Sequence, residues 1–402
     1  MRISLLTREY PPAIYGGAGV HVGQLTPRLQ KLIDVDVHCM GQDRPGASAH
    51  LENFPPKANS ALRTFGADLS MVASLPEDID LVHSHTWYAN LAGLLGGVYR
   101  QIPHVITAHS LEPLRPWKRE QLQGGYELSS WAERMSYEQA DAIIAVSSAM
   151  RDDILTCYPQ LDPDKVHVVL NGIDTEEFYP DDSSDFCNEI GMDISRPSVV
   201  FVGRITRQKG LVHLLRAARQ LPAGVQIILL ASSPDTEQIK EEFSTALDEL
   251  KAAKPDDVIW ISEMAPRSAV RQIISHATVF ACPSVYEPLG IVNLEAMAAQ
   301  TAVVASAVGG IPEVVVDQQT GLLVDYDPNR ADDADYICDF EHRFAQALKE
   351  LTDDPQRAKE MGKAGRQRCI DQFSWEKIAE ETVKVYRCAI ERYHKRTLNH
   401  SV

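Results

Sequence analysis

The chain has no C-x-x-C pair, no apolar run approaching the ~20 residues that span a bilayer, and no excess of basic charge. Each absence excludes something. Its seven cysteines, Cys39, Cys157, Cys187, Cys282, Cys338, Cys369 and Cys388, are odd in number and widely spaced. That argues against a secreted disulfide framework or a cysteine zinc site, and fits a reducing, cytoplasmic compartment. The amino terminus lacks the apolar core of a signal peptide, so a soluble protein without a membrane partner is expected. A net charge of -17 is unsuited to a broad nucleic-acid surface, although a local basic cleft can persist in an acidic protein. No internal repeat of short fixed period occurs.

What is present is alternation. At 402 residues the chain exceeds what one hydrophobic core usually supports, so two domains are expected. Ile3-Leu6, Val35-His38, Leu81-Val82, His104-Thr107 and Ala142-Val146 read as buried strands of one parallel sheet, with helical patterns between them. A second series runs through Ser198-Gly203, Val225-Leu230, Val258-Ile261, Thr278-Ala281, Ala302-Ala305 and Gly321-Val324. The fold class is therefore α/β, with two doubly wound, Rossmann-like domains. The turn Asn171-Asp174 and the polar, Pro-containing stretch Phe178-Asp185 place the boundary near residue 180, giving domains 1–178 and 179–373. Residues 374–402 form a last helix. Its apolar stripe, Trp375, Ile378, Ala379, Thr382, Tyr386, Ala389, Ile390 and Tyr393, requires a docking face, and a return to the first domain would provide one.

In open parallel sheets, ligands bind beyond the carboxyl ends of the strands, and four loops there are unusual. After the first strand, Gly16, Gly17 and Gly19 precede a helix starting near Val20; they allow backbone N–H groups to approach a phosphate or sugar, or they simply make a flexible loop. His109 follows the His104-Thr107 strand and is equally readable as a satisfied core histidine. His83 and His85 suggest a metal but have no third ligand at matching spacing, so no metal site is expected. After Gly203, the run Arg204-Ile-Thr-Arg207-Gln-Lys209-Gly210 puts three cations before a helix start without being a P-loop: a diphosphate clamp, or a solvated basic turn. Finally, Glu287 lies in a loop and Glu295 in the helix that follows. Two such carboxylates could be the acid and base of a glycoside hydrolase, but the neighbouring cations favour a sugar joined to phosphate.

Taken together, Gly16-Gly17, His109, Arg204 with Lys209, and Glu287-x7-Glu295 resemble the retaining nucleotide-sugar glycosyltransferases of the two-Rossmann-domain (GT-B) architecture. The likeness spans the whole chain. Thr7-Pro12, Gly16-His21, His83-Tyr88, Thr107-Lys118 and Ser284-Ala298 resemble in particular the actinobacterial glycogen synthase and α-maltose-1-phosphate synthase branch. The resemblance implies two domains facing a cleft, and transfer of glucose from ADP-glucose to a glucan or to glucose 1-phosphate with retention of configuration. Arg204 and Lys209 would neutralise the leaving diphosphate. Glu287 would hold donor-sugar hydroxyls, and the N–H groups of Leu289, Gly290 and Ile291 would meet sugar and phosphate. Glu295 would bind the ribose, His109 would sit by the sugar, and Gly16 and Gly17 would close on the phosphates. With fixed cations in these roles, no cofactor or metal is required.

Asp34-Val-Asp36, Asp78-Ile-Asp80 and Asp325-Tyr-Asp327 read as surface acids rather than metal ligands. One departure from the family pattern bears on the acceptor. Longer bacterial glycogen synthases carry K-x-G-G in the first loop, whereas this chain has Ile14-Tyr15-Gly16-Gly17, which makes a small phosphorylated acceptor such as glucose 1-phosphate a competitor to a polymer. Leu114-Arg115-Pro-Trp117-Lys118-Arg119 could hold that phosphate, stack on glucan, or be a solvated turn around a packed tryptophan. UDP-glucose as donor, a silent glycan-binding scaffold and a homo-oligomer all stay open.

Overall fold

Short apolar runs separated by amphipathic helices pair in parallel, because each crossover helix carries the chain back to the edge from which the previous strand started. In the computed structural model, which describes residues 1–399 other than Asn53, Pro56 and Ser233, they form two sheets. The first contains β1 (Arg2–Thr7), β2 (Asp34–Met40), β3 (Ser48–His50), β4 (Leu81–His85), β5 (His104–Ala108), β6 (Ala142–Ala145) and β7 (Val166–Val168), in the order β3-β2-β1-β4-β5-β6-β7. The second contains β8 (Ser198–Arg204), β9 (Gln226–Ser232), β10 (Val258–Ile261), β11 (Val279–Cys282), β12 (Ala302–Ser306) and β13 (Gly321–Val324), in the order β10-β9-β8-β11-β12-β13. Pairing is parallel in both, with Ile3 set opposite Val35 on one side and Leu81 on the other. This is the doubly wound α/β architecture expected. Strands β3 and β7 have three residues each, too short for a periodic signal, and the sequence does not reveal them.

The chain divides into Met1–Gly172 with Trp375–Val402, and Ile173–Ser374. The division thus falls ahead of residue 180. The polar stretch expected to be a linker is docked on the second unit: Phe178 is buried under the Arg267 guanidinium at 4.8 Å, and Asp181 pairs with Arg271 at 2.8 Å. Composition alone does not separate a segment held by ion pairs from a free one.

The terminal helix, Trp375–Asn399, belongs to the first unit. Trp375, Ile378, Ala379, Tyr386 and Ala389 bury their stripe among Ile3, Leu5, Val22, Leu25 and Val37. Each large side chain so buried contributes ~1.5–3 kcal/mol, which fixes the helix to its sheet. No described helix is long and apolar enough to cross a membrane.

One carboxylate sits in this unit at a cost. Asp68, on the helix Ser60–Ala73, is fully buried, and neither oxygen has a hydrogen-bond partner among the described residues. Burial holds its pKa well above the usual carboxylate value, so the folded state retains a proton that the unfolded state releases, and stability is lost as pH rises. Asp68→Asn should therefore raise the melting temperature at pH 7.5 by at least about 2 °C, with the gain shrinking towards pH 4. Equal melting of the two proteins at pH 7.5 would contradict the assignment.

Candidate functional site

Each sheet reverses its winding once, since β1 lies between β2 and β4, and β8 between β9 and β11. Loops leaving adjacent strands diverge at such a point and open a crevice. In the second unit these are the loops after β8 and β11. Thr206 caps the 3-10 turn Arg207–Lys209, accepting the Lys209 N–H at 3.3 Å, and the Gln208 carbonyl accepts the Val285 N–H at 2.9 Å. The two loops are thereby joined. The Lys209 ammonium donates to Glu287 Oε2 at 2.6 Å, and the Ser284 hydroxyl donates to the same oxygen at 3.1 Å. Burial disfavours charge on Lys209, but the Glu287 carboxylate outweighs it, and its pKa ends above the usual lysine value. Arg204 pairs with Asp235 at 3.0 Å. Arg207, grouped with these cations by sequence, turns instead to Glu242 on the helix Glu237–Ala253 at 3.0 Å.

The Glu287 main chain is fixed as tightly as its side chain. Its carbonyl accepts the Gly310 N–H at 3.0 Å, and Gly309, at φ +51°, packs so close that any Cβ there would collide with that carbonyl. Gly290, at φ +91°, then turns the chain abruptly into the helix Ile291–Ala298. Among the described residues, the N–H groups of Leu289, Gly290 and Ile291 donate to no protein acceptor. Asn293, beside Gly290, is buried, and neither polar atom of its side chain has a hydrogen-bond partner among the described residues. This end of the helix therefore offers polar groups that a sugar or phosphate oxygen could satisfy. Glu295 is also buried, and burial raises its pKa against the opposing charge of Arg267, which lies 3.3 Å away and also pairs with Glu177. Sequence reasoning gave no role to Arg267, which stands in no motif, or to Asn293, which lies within Ser284-Ala298 but whose burial only the structure reveals.

In the first unit, the glycine loop already holds an anion. Glu9 Oε2 accepts the N–H groups of Tyr15 at 2.7 Å and Gly16 at 2.8 Å, where the sequence suggested a phosphate. The helix begins at Gly17, one turn before the start expected near Val20. His109 joins a cluster that spacing does not reveal. His85 Nδ1 lies 3.0 Å from His109 Nε2, and His21, on the helix Gly17–Leu29, brings its ring centroid to 4.7 Å from that of His109. His83 bonds Tyr386 at 2.7 Å and Thr107 at 2.8 Å, and Trp375 meets the His21 ring edge-on at 5.3 Å. The terminal helix thus walls the cluster.

His21, His85 and His109 each bring one ring nitrogen within 4.8 Å of the others, so the third histidine sought beside His85 exists. The trio has the composition of a metal site, but an ion there would compete with the His85–His109 hydrogen bond. The D-x-D acids are structural: His38 bonds Asp36 at 2.8 Å, Asp80 accepts the Arg2 N–H at 2.8 Å, and Asp327 accepts the Asn329 N–H at 2.9 Å.

Burial pushes His83, His85 and His109 well below the usual histidine pKa and His21 to about 4, the Asn171 hydrogen bond opposing the shift at His21. His109 is therefore a neutral hydrogen-bonding group. For His21 the folded state refuses a proton that the unfolded state accepts near pH 6.5, so its stabilisation is complete above that pH and is lost as pH falls towards 4. In urea unfolding, the penalty of His21→Gln relative to the unmodified protein should shrink by on the order of 2 kcal/mol between pH 7.5 and pH 5. A penalty independent of pH would contradict a neutral, buried His21.

Residues 15–177 match the model of glycosyltransferase family 4, and residues 188–368 that of glycosyl transferases group 1. The chain is 57% identical over 391 residues to the α-maltose-1-phosphate synthase of Mycolicibacterium smegmatis, covering 96% of this chain and 99% of the relative. It is 55% identical over 393 residues to the enzyme of the same name from Mycobacterium tuberculosis, again covering 96% and 99%. Among solved structures, sucrose-phosphate synthase from Thermosynechococcus elongatus superposes with a TM-score of 0.75 at 24% identity, covering 96% of this chain and 98% of that one, a likeness of fold. Two doubly wound units, matched in turn by two glycosyltransferase family models and over nearly their whole length by relatives more than half identical, make the chain a GT-B glycosyltransferase that belongs to the α-maltose-1-phosphate synthase branch.

Proposed function

We propose that the enzyme transfers glucose from ADP-glucose to the 4-hydroxyl of glucose 1-phosphate with retention of configuration, giving α-maltose 1-phosphate and ADP. The observation that carries the reading is the Lys209–Glu287 pair at the β8–β11 crevice, in a chain 57% identical along nearly its whole length to α-maltose-1-phosphate synthase. The donor's C1–O bond to the diphosphate breaks, and the acceptor oxygen bonds to C1 on the same face. The acceptor proton passes to the departing phosphate oxygen, so charge and atoms balance without an added base.

The difficult event is departure of a dianion from a carbon that becomes cation-like. Fixed positive charge in a site shielded from water is the largest help a protein can give it. Lys209 and Arg204 supply that charge in this reading, without a metal in the step. Glu287, already gripping Lys209, accepts donor-sugar hydroxyls on its remaining lone pairs. Leu289, Gly290 and Ile291 offer their N–H groups, and Glu295 takes the ribose while Arg267 neutralises it. His109, being neutral, hydrogen-bonds a sugar hydroxyl without adding charge. Gly16 and Gly17 contact phosphate once the Gly16 N–H exchanges the Glu9 carboxylate for a phosphate oxygen. Elongation of a glucan is the second reading, which the shared family pattern allows and Ile14, in place of the loop lysine, disfavours.

Purified enzyme should be offered ADP-glucose or UDP-glucose with either glycogen or glucose 1-phosphate, and the products resolved by phosphorus NMR. ADP and a disaccharide phosphate should form from ADP-glucose and glucose 1-phosphate, and Lys209→Ala or Glu287→Ala should slow this ~10²–10³-fold in folded protein. ADP formation only with glycogen would move the enzyme to polymer synthesis, and full activity in both variants would overturn the site.

A further inference from the structure

The basic run 114–119 does not act as one cluster. Arg119 lies on the surface against Glu127 at 3.1 Å, whereas Arg115 folds inward, its Nη1 bonding the Ser110 hydroxyl at 2.7 Å and lying 3.6 Å from buried Glu112. Ser110 is the residue after His109, so the Arg115 guanidinium is fastened beside the histidine cluster. Its side chain is 14% exposed, and its Nε is buried with no partner among the described residues.

A second arginine faces the same place. Arg8, directly after β1, lays its guanidinium 4.1 Å from the ring centroid of Tyr88, which opens the helix Trp87–Arg100 after β4. The charges of Arg8 and Arg115 both act on the Tyr88 phenol. Among the described residues Arg8 has no carboxylate at ion-pairing distance; its neighbour Glu9 is committed to the N–H groups of Tyr15 and Gly16. Two guanidiniums, from the loops after β1 and β5, thus lie to either side of the helix that follows β4 at the first sheet's carboxyl edge, and the carboxylates of Glu112 and Glu9 act on the same phenol.

Glu112 is held in place. It accepts the Ser129 hydroxyl at 2.6 Å and backs onto Glu133, which takes the Glu112 N–H at 2.8 Å. Burial and the Glu112 charge push Glu133 up to about 8, so near neutral pH the second acid is largely protonated and adds little negative charge. Arg8 and Arg115 are planar forks suited to bidentate contact with phosphate oxygens, and Arg115 keeps an unsatisfied N–H and Arg8 no carboxylate partner among the described residues. A neutral glucan would not use such bidentate contacts.

We propose that Arg8 and Arg115, which follow the strands on either side of β4, form the recognition site for the phosphate monoester of the acceptor, and so select a sugar 1-phosphate over a neutral glucan. This rests on the proposed transfer to glucose 1-phosphate and names the residues that make that choice. Arg115 presents Nη2 while Nη1 stays on Ser110, Arg8 supplies the second fork, and the Tyr88 hydroxyl adds a neutral donor.

The test uses the full-length enzyme and its Arg8→Gln, Arg115→Gln and Arg115→Lys variants, with folding checked by thermal melting. Steady-state rates are measured with glucose 1-phosphate varied at saturating ADP-glucose, and then with ADP-glucose varied. Each Gln variant should raise the KM for glucose 1-phosphate at least tenfold while the KM for ADP-glucose stays within about twofold, and Arg115→Lys should recover part of the loss. Inorganic phosphate should compete with glucose 1-phosphate in the unmodified enzyme and lose that competition in Arg8→Gln. Arg8 makes no ion pair among the described residues, so its variant remains informative if Arg115→Gln unfolds. Unmodified enzyme active on glucose 1-phosphate with unchanged KM in Arg8→Gln would overturn the arginine site alone, as would a matching rise in the donor KM, which would assign the arginines to the diphosphate. Absence of any transfer to glucose 1-phosphate by the unmodified enzyme would overturn the functional reading and this inference together.

Discussion

An ammonium group withdrawn from water needs a partner, and the meeting of Lys209 with Glu287 is the interaction on which the candidate donor site depends. Leaving either charge alone in such a place costs about 3–5 kcal/mol. The fold meets that demand by topology. Because β8 lies beside β11, the cation-bearing turn and the glutamate loop leave neighbouring strands, and the Gln208–Val285 hydrogen bond holds them together. Ser284 fixes the carboxylate, and Gly309 and Gly310 fix the carbonyl behind it. The pair leaves Lys209 charged and positioned, which is what a diphosphate leaving group requires.

The first unit follows a different electrostatic rule. His21, His83, His85 and His109 are kept neutral by burial and by one another, and the terminal helix contributes Tyr386 and Trp375 to their enclosure. A neutral histidine can orient hydroxyl groups without adding charge to its surroundings. Positive charge beside the cluster is carried by Arg115, bonded to Ser110, and Arg8 stacks on the Tyr88 ring.

Much of this was legible in the sequence, for identifiable reasons. Eleven apolar runs marked strands because a sheet buried on both faces needs continuous apolar segments, and the sided pattern from Trp375 to Tyr393 required a docking face. The family pattern gave Lys209 and Glu287 separate roles in one donor site, but their pairing, 78 residues apart, came only with the structure, since spacing carries no information across a crossover. What stayed hidden was decided by packing. His21 reaches His109 because β1 adjoins β4, Arg207 turns away because Glu242 lies within reach, and Phe178-Asp185 is anchored by arginines distant in sequence. Glu9, which occupies the glycine loop, is an ordinary charged residue until its carboxylate is seen on the Tyr15 and Gly16 N–H groups.

If Lys209 is a charge held ready for a diphosphate, and Glu287 its holder and the sugar's, the two should separate in nucleotide binding. The decisive measurement is isothermal titration calorimetry of ADP, without sugar, into the unmodified enzyme, Lys209→Met and Glu287→Gln. The account predicts that Lys209→Met weakens ADP binding at least about tenfold, or 1.4 kcal/mol, while Glu287→Gln binds ADP nearly as well as the unmodified enzyme. Undiminished ADP affinity in folded Lys209→Met would contradict it.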